Sequence, residues 1–114
     1  MTSAGILAFG TSNYDAMIKF LADFGFQVTE DPRDQLVPLF NNGRGARIQR
    51  GDLVFNLEES SCDNDKAAFN LFLTDYSDEE IERIKALGYE PRVEHGLYGP
   101  CHSFRTPDGG TFVL

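Results

Sequence analysis

Two stretches of the chain carry the same order of hydrophobic and polar positions. Each begins with an apolar segment that predicts a strand, continues through an amphipathic helix that ends at a glycine, and returns to extended segments. Residues 9–30 and 72–93 overlay without a gap. The identical pairs are Phe9 and Phe72, Thr11 and Thr74, Asp15 and Asp78, Ile18 and Ile81, and Gly25 and Gly88. This self-similarity predicts a duplicated βαβββ module.

In the first copy, residues 5–10 predict a strand, and Ser12 or Asn13 is suited to cap the helix that follows. The helix presents an apolar stripe at spacings of three and four positions and stops at Gly25. The stripe consists of Met17, Phe20, Leu21 and Phe24. The extended segments that follow are 26–29, 37–40, 46–49 and 53–58, with turns at Asn42-Gly43 and Gly51-Asp52.

In the second copy, residues 68–74 predict the strand, and Ser77 with Glu80 forms an S-x-x-E capping box at the helix start. Ile81, Ile84 and Leu87 are predicted to form the buried face of that helix. The extended segments that follow are 90–94, 101–105 and 110–114, with turn residues at Gly96, Gly99-Pro100 and 107–109.

The whole pattern predicts a single α+β domain over residues 1–114. Module one covers about 1–59, a polar linker covers 60–65, and module two covers about 66–114. A chain of 114 residues is long enough to bury a core by itself and too short for a second domain.

Composition narrows the classes of function. Hydrophobic residues make up 41% of the chain and ten residues are Phe, which is typical of a globular protein. The net charge of −8 argues against nucleic acid and anionic membranes as partners, and it favours cationic ligands. No apolar run approaches the roughly 20 residues of a membrane span. Because no secretory signal precedes the first strand, we expect a cytoplasmic protein in which Cys62 and Cys101 are free thiols.

Three segments, taken in order, carry a family resemblance. They are the helix end FGF at 24–26, the strand DLVFNLE at 52–58 and the ending TPDGGTFVL at 106–114. This combination resembles the vicinal oxygen chelate superfamily, the group of glyoxalases, bleomycin-resistance proteins and extradiol dioxygenases. The resemblance implies two modules whose curved mixed sheets surround a cleft, with the helices outside. It also implies a homodimer, since many relatives are homodimers.

Enzymes of that superfamily use a divalent metal that polarises adjacent oxygens of the substrate. The resemblance places the four usual ligand positions on Gly5, Asn56, Phe69 and Val113. Three of these side chains offer no donor atom, and the amide of Asn56 is a weak one. The chain is therefore similar in character to the metal-free, bleomycin-resistance-like branch, and we expect no cofactor.

Alternation along the strands predicts which residues line the cleft. Leu7 and Phe9 accompany Gly5, Val54 and Glu58 accompany Asn56, and Leu71 and Leu73 accompany Phe69, whereas Phe55 and Leu57 lie beneath the helices. The predicted ligand-binding residues are Leu7, Phe9, Asn56, Glu58, Phe69, Leu71, His102 and Val113.

Three functions are compatible with this prediction. The first is metal-free binding that sequesters a cationic or aromatic drug-like compound, as in antibiotic resistance. The second is a divalent-metal lyase, isomerase or dioxygenase with non-standard ligands, for which Glu58, His102 and His95 are the candidates; the structural alternative makes His95 an exposed loop residue and His102 a hydrogen-bonded strand residue. The third is a dimeric interaction module whose apolar residues fill the cleft.

Overall fold

The computed structural model describes residues 7–30, 45–59, 70–96 and 99–114. Over these residues the chain forms two helices and eight strands, arranged as two four-stranded mixed sheets. It divides into two compact units, Met1–Asn64 and Asp65–Leu114. The predicted α+β class and its repeated module are confirmed. The predicted strand at 37–40, the Asn42-Gly43 turn and the linker lie outside the described residues.

The first unit follows the order strand, helix and three strands. Its elements are β1 (Ala8–Thr11), α1 (Tyr14–Asp23), β2 (Gln27–Glu30), β3 (Gly45–Arg50) and β4 (Leu53–Glu59). The sheet order is β1-β4-β3-β2, in which β1 runs parallel to β4 and the other pairs are antiparallel.

The second unit repeats that order. Its elements are β5 (Asn70–Phe72), α2 (Asp78–Ala86), β6 (Arg92–Gly96), β7 (Gly99–Arg105) and β8 (Thr111–Val113). The sheet order is β5-β8-β7-β6, in which β5 runs parallel to β8. Each strand therefore has the same neighbours as its counterpart in the first unit.

Helix α1 buries its predicted apolar stripe. Met17, Phe20, Leu21 and Phe24 are all buried, and the rings of Phe20 and Phe24 stack with centroids 4.2 Å apart. Asn13 is the N-cap, but its side chain makes no capping hydrogen bond. Instead, its backbone N–H donates to Thr11 Oγ1 at 3.0 Å. Gly25 ends the helix at a φ of 91°, a conformation that glycine adopts without the clash of a Cβ atom.

Helix α2 begins with the predicted capping box. Ser77 Oγ accepts a hydrogen bond from the Glu80 N–H at 3.1 Å, and Glu80 Oε1 accepts one from the Ser77 N–H at 3.2 Å. Ile81 and Ile84 are buried as predicted. The prediction for Leu87 was wrong, because the helix ends at Ala86 and Leu87, its C-cap, is 56% exposed.

Candidate functional site

One face of the second sheet collects polar, charged and aromatic side chains. Paired residues on adjacent strands share a face, and the register places Asn70 beside Thr111, and both Phe72 and Ser103 beside Val113. Arg92 pairs with Ser103 and extends the same face to β6. The opposite face carries Leu71, Phe104 and Phe112; the two phenylalanines are buried, as are Ile81 and Ile84 of α2.

The turn between β7 and β8 fixes this register. The Gly110 N–H donates to Thr106 Oγ1 at 2.7 Å, while the Thr106 hydroxyl donates to the Asp108 carboxylate. Gly109 takes a φ of 90°. The short polar side chains of the TPDGG segment thus satisfy backbone groups of their own turn, as Asx-type turns do. A register set in this way brings Arg105 beside Thr111 on the polar face.

That face contains a cavity of about 640 Å³, here named the charged cavity. Its lining residues are Asn70, Phe72, Glu90, Arg92, Glu94, Ser103, Arg105, Thr111 and Val113. Phe72 is 77% exposed, an unusual state for a large aromatic ring. Such a ring offers a stacking surface to a ligand.

The charged cavity presents both signs of charge. Arg92 Nη1 lies 3.9 Å from Glu94 Oε1, and Glu90 and Arg105 complete the ionisable lining. Ser103 and Thr111 add hydroxyl groups, and Asn70 Oδ1 accepts a hydrogen bond from the Thr111 N–H at 2.9 Å. The cavity therefore combines an aromatic surface with groups that can bind a cation, an anion or neutral polar atoms.

A second, apolar cavity of about 450 Å³ shares Phe72 and Val113 with the first. Its remaining lining residues are Leu73, Thr74, Gly96, Gly99, Pro100, Cys101 and Leu114. Cys101 is a free thiol that contacts the Gly99 carbonyl at 3.6 Å. Because Phe72 borders both cavities, a ligand on its ring has polar groups on one side and apolar groups on the other.

The first sheet carries two buried polar side chains on β4. Asn56 and Glu58 lie on the face opposite Phe55 and Leu57, and Glu58 is only 3% exposed. Glu58 is paired with Gly10 on β1 and with Gly45 on β3. Both residues paired with Glu58 are therefore glycines.

Some of the site residues predicted from the sequence lie on the charged-cavity face or on the Asn56 and Glu58 face of β4, and others do not. Val113 lines the charged cavity, and Asn56 and Glu58 share one face of β4. Phe9 is paired with Leu57 and makes an edge-to-face contact with Phe55 at 5.5 Å, so it lies on the other face of the sheet from Glu58. Leu7 precedes β1 and is exposed. Gly5 and Phe69 lie outside the described residues.

Leu71 and His102 also differ from the predicted facing. Leu71 is paired with the buried Phe112, and His102 is paired with Val93, so both lie on the face opposite the charged cavity. The facing of β5 is shifted by one residue from the prediction: the half-buried Leu71 lies on the same face as Phe112, and Asn70 and Phe72 line the cavity. Their roles as ligand contacts stay predictions.

A divalent metal site needs several His, Cys, Asp or Glu side chains that converge on one point. His95 and His102 lie on the face away from the charged cavity, and among the described residues no group of three or more His, Cys, Asp or Glu side chains is placed to hold an ion. The described side chains therefore do not fit the metal site that the resemblance implies for its enzymes.

Sequence reasoning missed most of the charged cavity. Asn70, Phe72, Ser103, Arg105 and Thr111 were not predicted as site residues, although all five alternate along strands that were predicted. The sequence of β7 carries a pattern that identifies this face, because the polar Ser103 and Arg105 alternate with the apolar Phe104. The TPDGG turn then sets the alignment of β8 with β7. This alignment places Thr111 and Val113 on the same face as the polar residues of β7.

Solved structures share this fold. The bleomycin resistance determinant encoded on transposon Tn5 is 21% identical, with 99% of this chain and 96% of that chain covered and a TM-score of 0.65. A bleomycin-binding protein complexed with bleomycin is 21% identical, with 99% and 97% covered and a TM-score of 0.62. A glyoxalase/bleomycin resistance protein/dioxygenase superfamily member from Sphaerobacter thermophilus DSM 20745 is 20% identical, with 98% and 96% covered and a TM-score of 0.62.

The protein therefore has the fold of the glyoxalase/bleomycin resistance/dioxygenase proteins, as the sequence resemblance predicted. No protein-family model and no curated protein sequence matches the chain. Neither of the two helices is long and apolar enough to cross a membrane over the described residues.

Proposed function

We propose that this protein binds a small cationic or aromatic organic compound in the charged cavity and sequesters it without breaking a bond. The observation that carries the proposal is the exposed ring of Phe72 in a cavity lined by the carboxylates of Glu90 and Glu94 as well as by two arginines. A cation over an aromatic face is attracted by the negative potential of the ring, and nearby carboxylates add to that attraction. The cavity is also of the size that drug-like ligands occupy.

Two observations support binding rather than chemistry. The described residues bring no group of three or more His, Cys, Asp or Glu side chains together that would hold a metal ion. Among proteins of the same fold, one was solved in complex with bleomycin. The proposal extends the same mode of action, binding of a drug-like compound, to this chain, which would act as a homodimer in the cytoplasm.

A ligand screen tests the proposal. Purified protein is melted against a library of cationic, anionic and neutral aromatic compounds, because a ligand that binds only the folded state raises the melting temperature. The expected result is stabilisation by cationic aromatic compounds, and mass spectrometry should recover those compounds unchanged after prolonged incubation. A chemically altered compound would contradict sequestration, and stabilisation by no compound would favour the interaction module with a filled cleft.

Elemental analysis separates the binding protein from the alternative metal enzyme. The sequestration proposal predicts no stoichiometric transition metal in protein purified without chelator. Bound nickel, zinc, manganese or iron near one ion per site, lost in a His102→Ala variant, would contradict it and favour the metal-dependent lyase, isomerase or dioxygenase.

A further inference from the structure

The four ionisable side chains that line the charged cavity are only partly paired with one another. Arg92 Nη1 lies 3.9 Å from Glu94 Oε1, so these two charges partly compensate each other. In the part of the chain that the structure describes, the side chains of Glu90 and Arg105 take part in no ion pair and no hydrogen bond. The cavity therefore keeps one uncompensated carboxylate and one uncompensated guanidinium.

The strand register explains why no fixed contact joins Glu90 to Arg105. β6 begins at Arg92, which pairs with Ser103, and Glu90 precedes that strand by two positions. No rung of the ladder therefore holds Glu90 opposite Arg105. Both side chains are exposed, and attraction between exposed charges is weak. Each of the two groups is thus available to an opposite charge on a ligand.

Arg105 lies in a row of hydrogen-bond donors that crosses three strands. It pairs with Thr111 on β8, and Thr111 pairs with Asn70 on β5. Asn70 Oδ1 accepts the Thr111 N–H at 2.9 Å, so the Nδ2 group of that amide remains as a donor. The Thr111 hydroxyl has no hydrogen-bond partner among the described residues.

This donor row fits a carboxylate. The two oxygens of a carboxylate accept several hydrogen bonds, and a guanidinium can donate two parallel ones to them. A hydroxyl and an amide Nδ2 group beside the guanidinium can donate to the lone pairs that it leaves. The row lines the charged cavity, as does Glu90, so a carboxylate and a cationic group of one ligand can be bound there together.

We infer that the charged cavity takes a zwitterionic aromatic compound, whose carboxylate binds Arg105 and Thr111 and whose cationic group binds Glu90. Its aromatic ring lies against Phe72, which follows Asn70 by two positions on β5 and therefore shares the face of the donor row. The inference rests on the ligand site of the proposed function and adds a carboxylate to the cationic or aromatic ligand.

The two uncompensated charges give the cavity a selectivity. A ligand with only a cationic group is attracted by Glu90 and repelled by Arg105, and a ligand with only a carboxylate meets the reverse. A compound that carries both groups satisfies both side chains. We therefore expect the zwitterion to bind more tightly than either singly charged analogue.

Three indole compounds that differ in their charged groups test this selectivity. Tryptamine carries the ammonium, indole-3-propionate the carboxylate, and tryptophan both. Titration followed by NMR at pH 7, which detects weak binding, should give tryptophan an affinity at least about tenfold above that of either analogue, because hydrogen bonds between charged groups are the strong ones. The amide signal of Thr111 should shift with tryptophan.

Each other outcome has a distinct meaning. Tryptophan binding no more tightly than tryptamine would overturn the inference and leave the proposed function intact. Binding of none of the three probes would also overturn the inference, while the ligand screen tests the proposed function separately. Chemical alteration of a bound probe would contradict sequestration instead.

Two single variants separate the two charged contacts. Arg105→Gln should weaken tryptophan and indole-3-propionate about tenfold and cause no loss for tryptamine, whereas Glu90→Gln should weaken tryptophan and tryptamine and cause no loss for indole-3-propionate. Arg83→Gln, at an exposed arginine of α2 outside the cavity, is the control and should change none of the three affinities. Circular dichroism checks that each variant is folded. An equal loss for all three probes in Arg105→Gln would overturn the inference.

Discussion

Phe72 is the residue on which the proposed ligand binding most depends. Replacing it with Ala removes the exposed ring from the charged cavity without disturbing the buried core. Because a cation–π contact contributes about 0.5–2 kcal/mol, we expect the affinity for a cationic aromatic ligand to fall about tenfold in isothermal titration. Leu87→Ala, also at an exposed apolar residue but outside the cavity, is the control. Equal affinity of Phe72→Ala and the wild type would contradict the proposed site.

Glu90 offers a test of the predicted preference for cations, because its carboxylate lines the charged cavity. Glu90→Gln keeps the shape of the side chain and removes its charge, so we expect it to weaken a cationic ligand more than a neutral ligand of similar size. Glu79→Gln makes the same change at an exposed residue of the same unit outside the cavity and is the control. Paired titrations measure the difference. An equal loss for both ligands would show that the charge of Glu90 does not select the ligand.

The capping box of α2 is an element whose contribution can be measured. Ser77→Ala removes the hydroxyl that accepts from the Glu80 N–H, and loss of such a cap costs about 1 kcal/mol of the free energy of unfolding. Chemical denaturation should detect this loss. Ser12→Ala, at an exposed serine just before the N-cap of α1, should change stability by much less.

Replacing a glycine that ends a helix should lower the stability of the protein more than replacing a glycine within a strand. Gly88 has a φ of 104°, so Gly88→Ala forces a Cβ into a left-handed conformation and should cost roughly 1–2 kcal/mol in denaturant. Gly45 lies in β3 without a positive φ, and a Cβ there would meet its nearest neighbours at 3.8 Å. Gly45→Ala should therefore be neutral or slightly stabilising. Similar losses in both variants would contradict this explanation.

Helices and turns were predicted more reliably than the facing of strands. The apolar stripe of α1, the capping box of α2 and the two helix-ending glycines are local signals, and all were found where predicted. The predicted faces of Phe9 and Leu71, by contrast, differ from the observed ones. Both are large apolar residues in short strands, and a shift of one residue exchanges the two faces of a strand. Only the neighbouring strands decide which face an apolar side chain takes.

At the scale of the whole molecule, the net charge of −8 predicts how a cationic ligand approaches. Long-range attraction raises the association rate, and salt screens it because the Debye length is only about 10 Å at 0.1 M. Stopped-flow mixing should show an association rate that falls with ionic strength and a dissociation rate that changes less. A neutral ligand is the control. A rate independent of salt would mean that the acidic surface does not steer the ligand.

The sequence by itself determined the duplicated module and the order of its elements, because these follow from residue type and short-range spacing. The tertiary structure decided which residues meet. Only the pairing of β5, β7 and β8 brought Phe72, Ser103 and Arg105 to one face, and only the position of β6 at the end of the sheet exposed its edge. Strand neighbours distant in the chain are set by the packing of the whole unit, which no local pattern encodes.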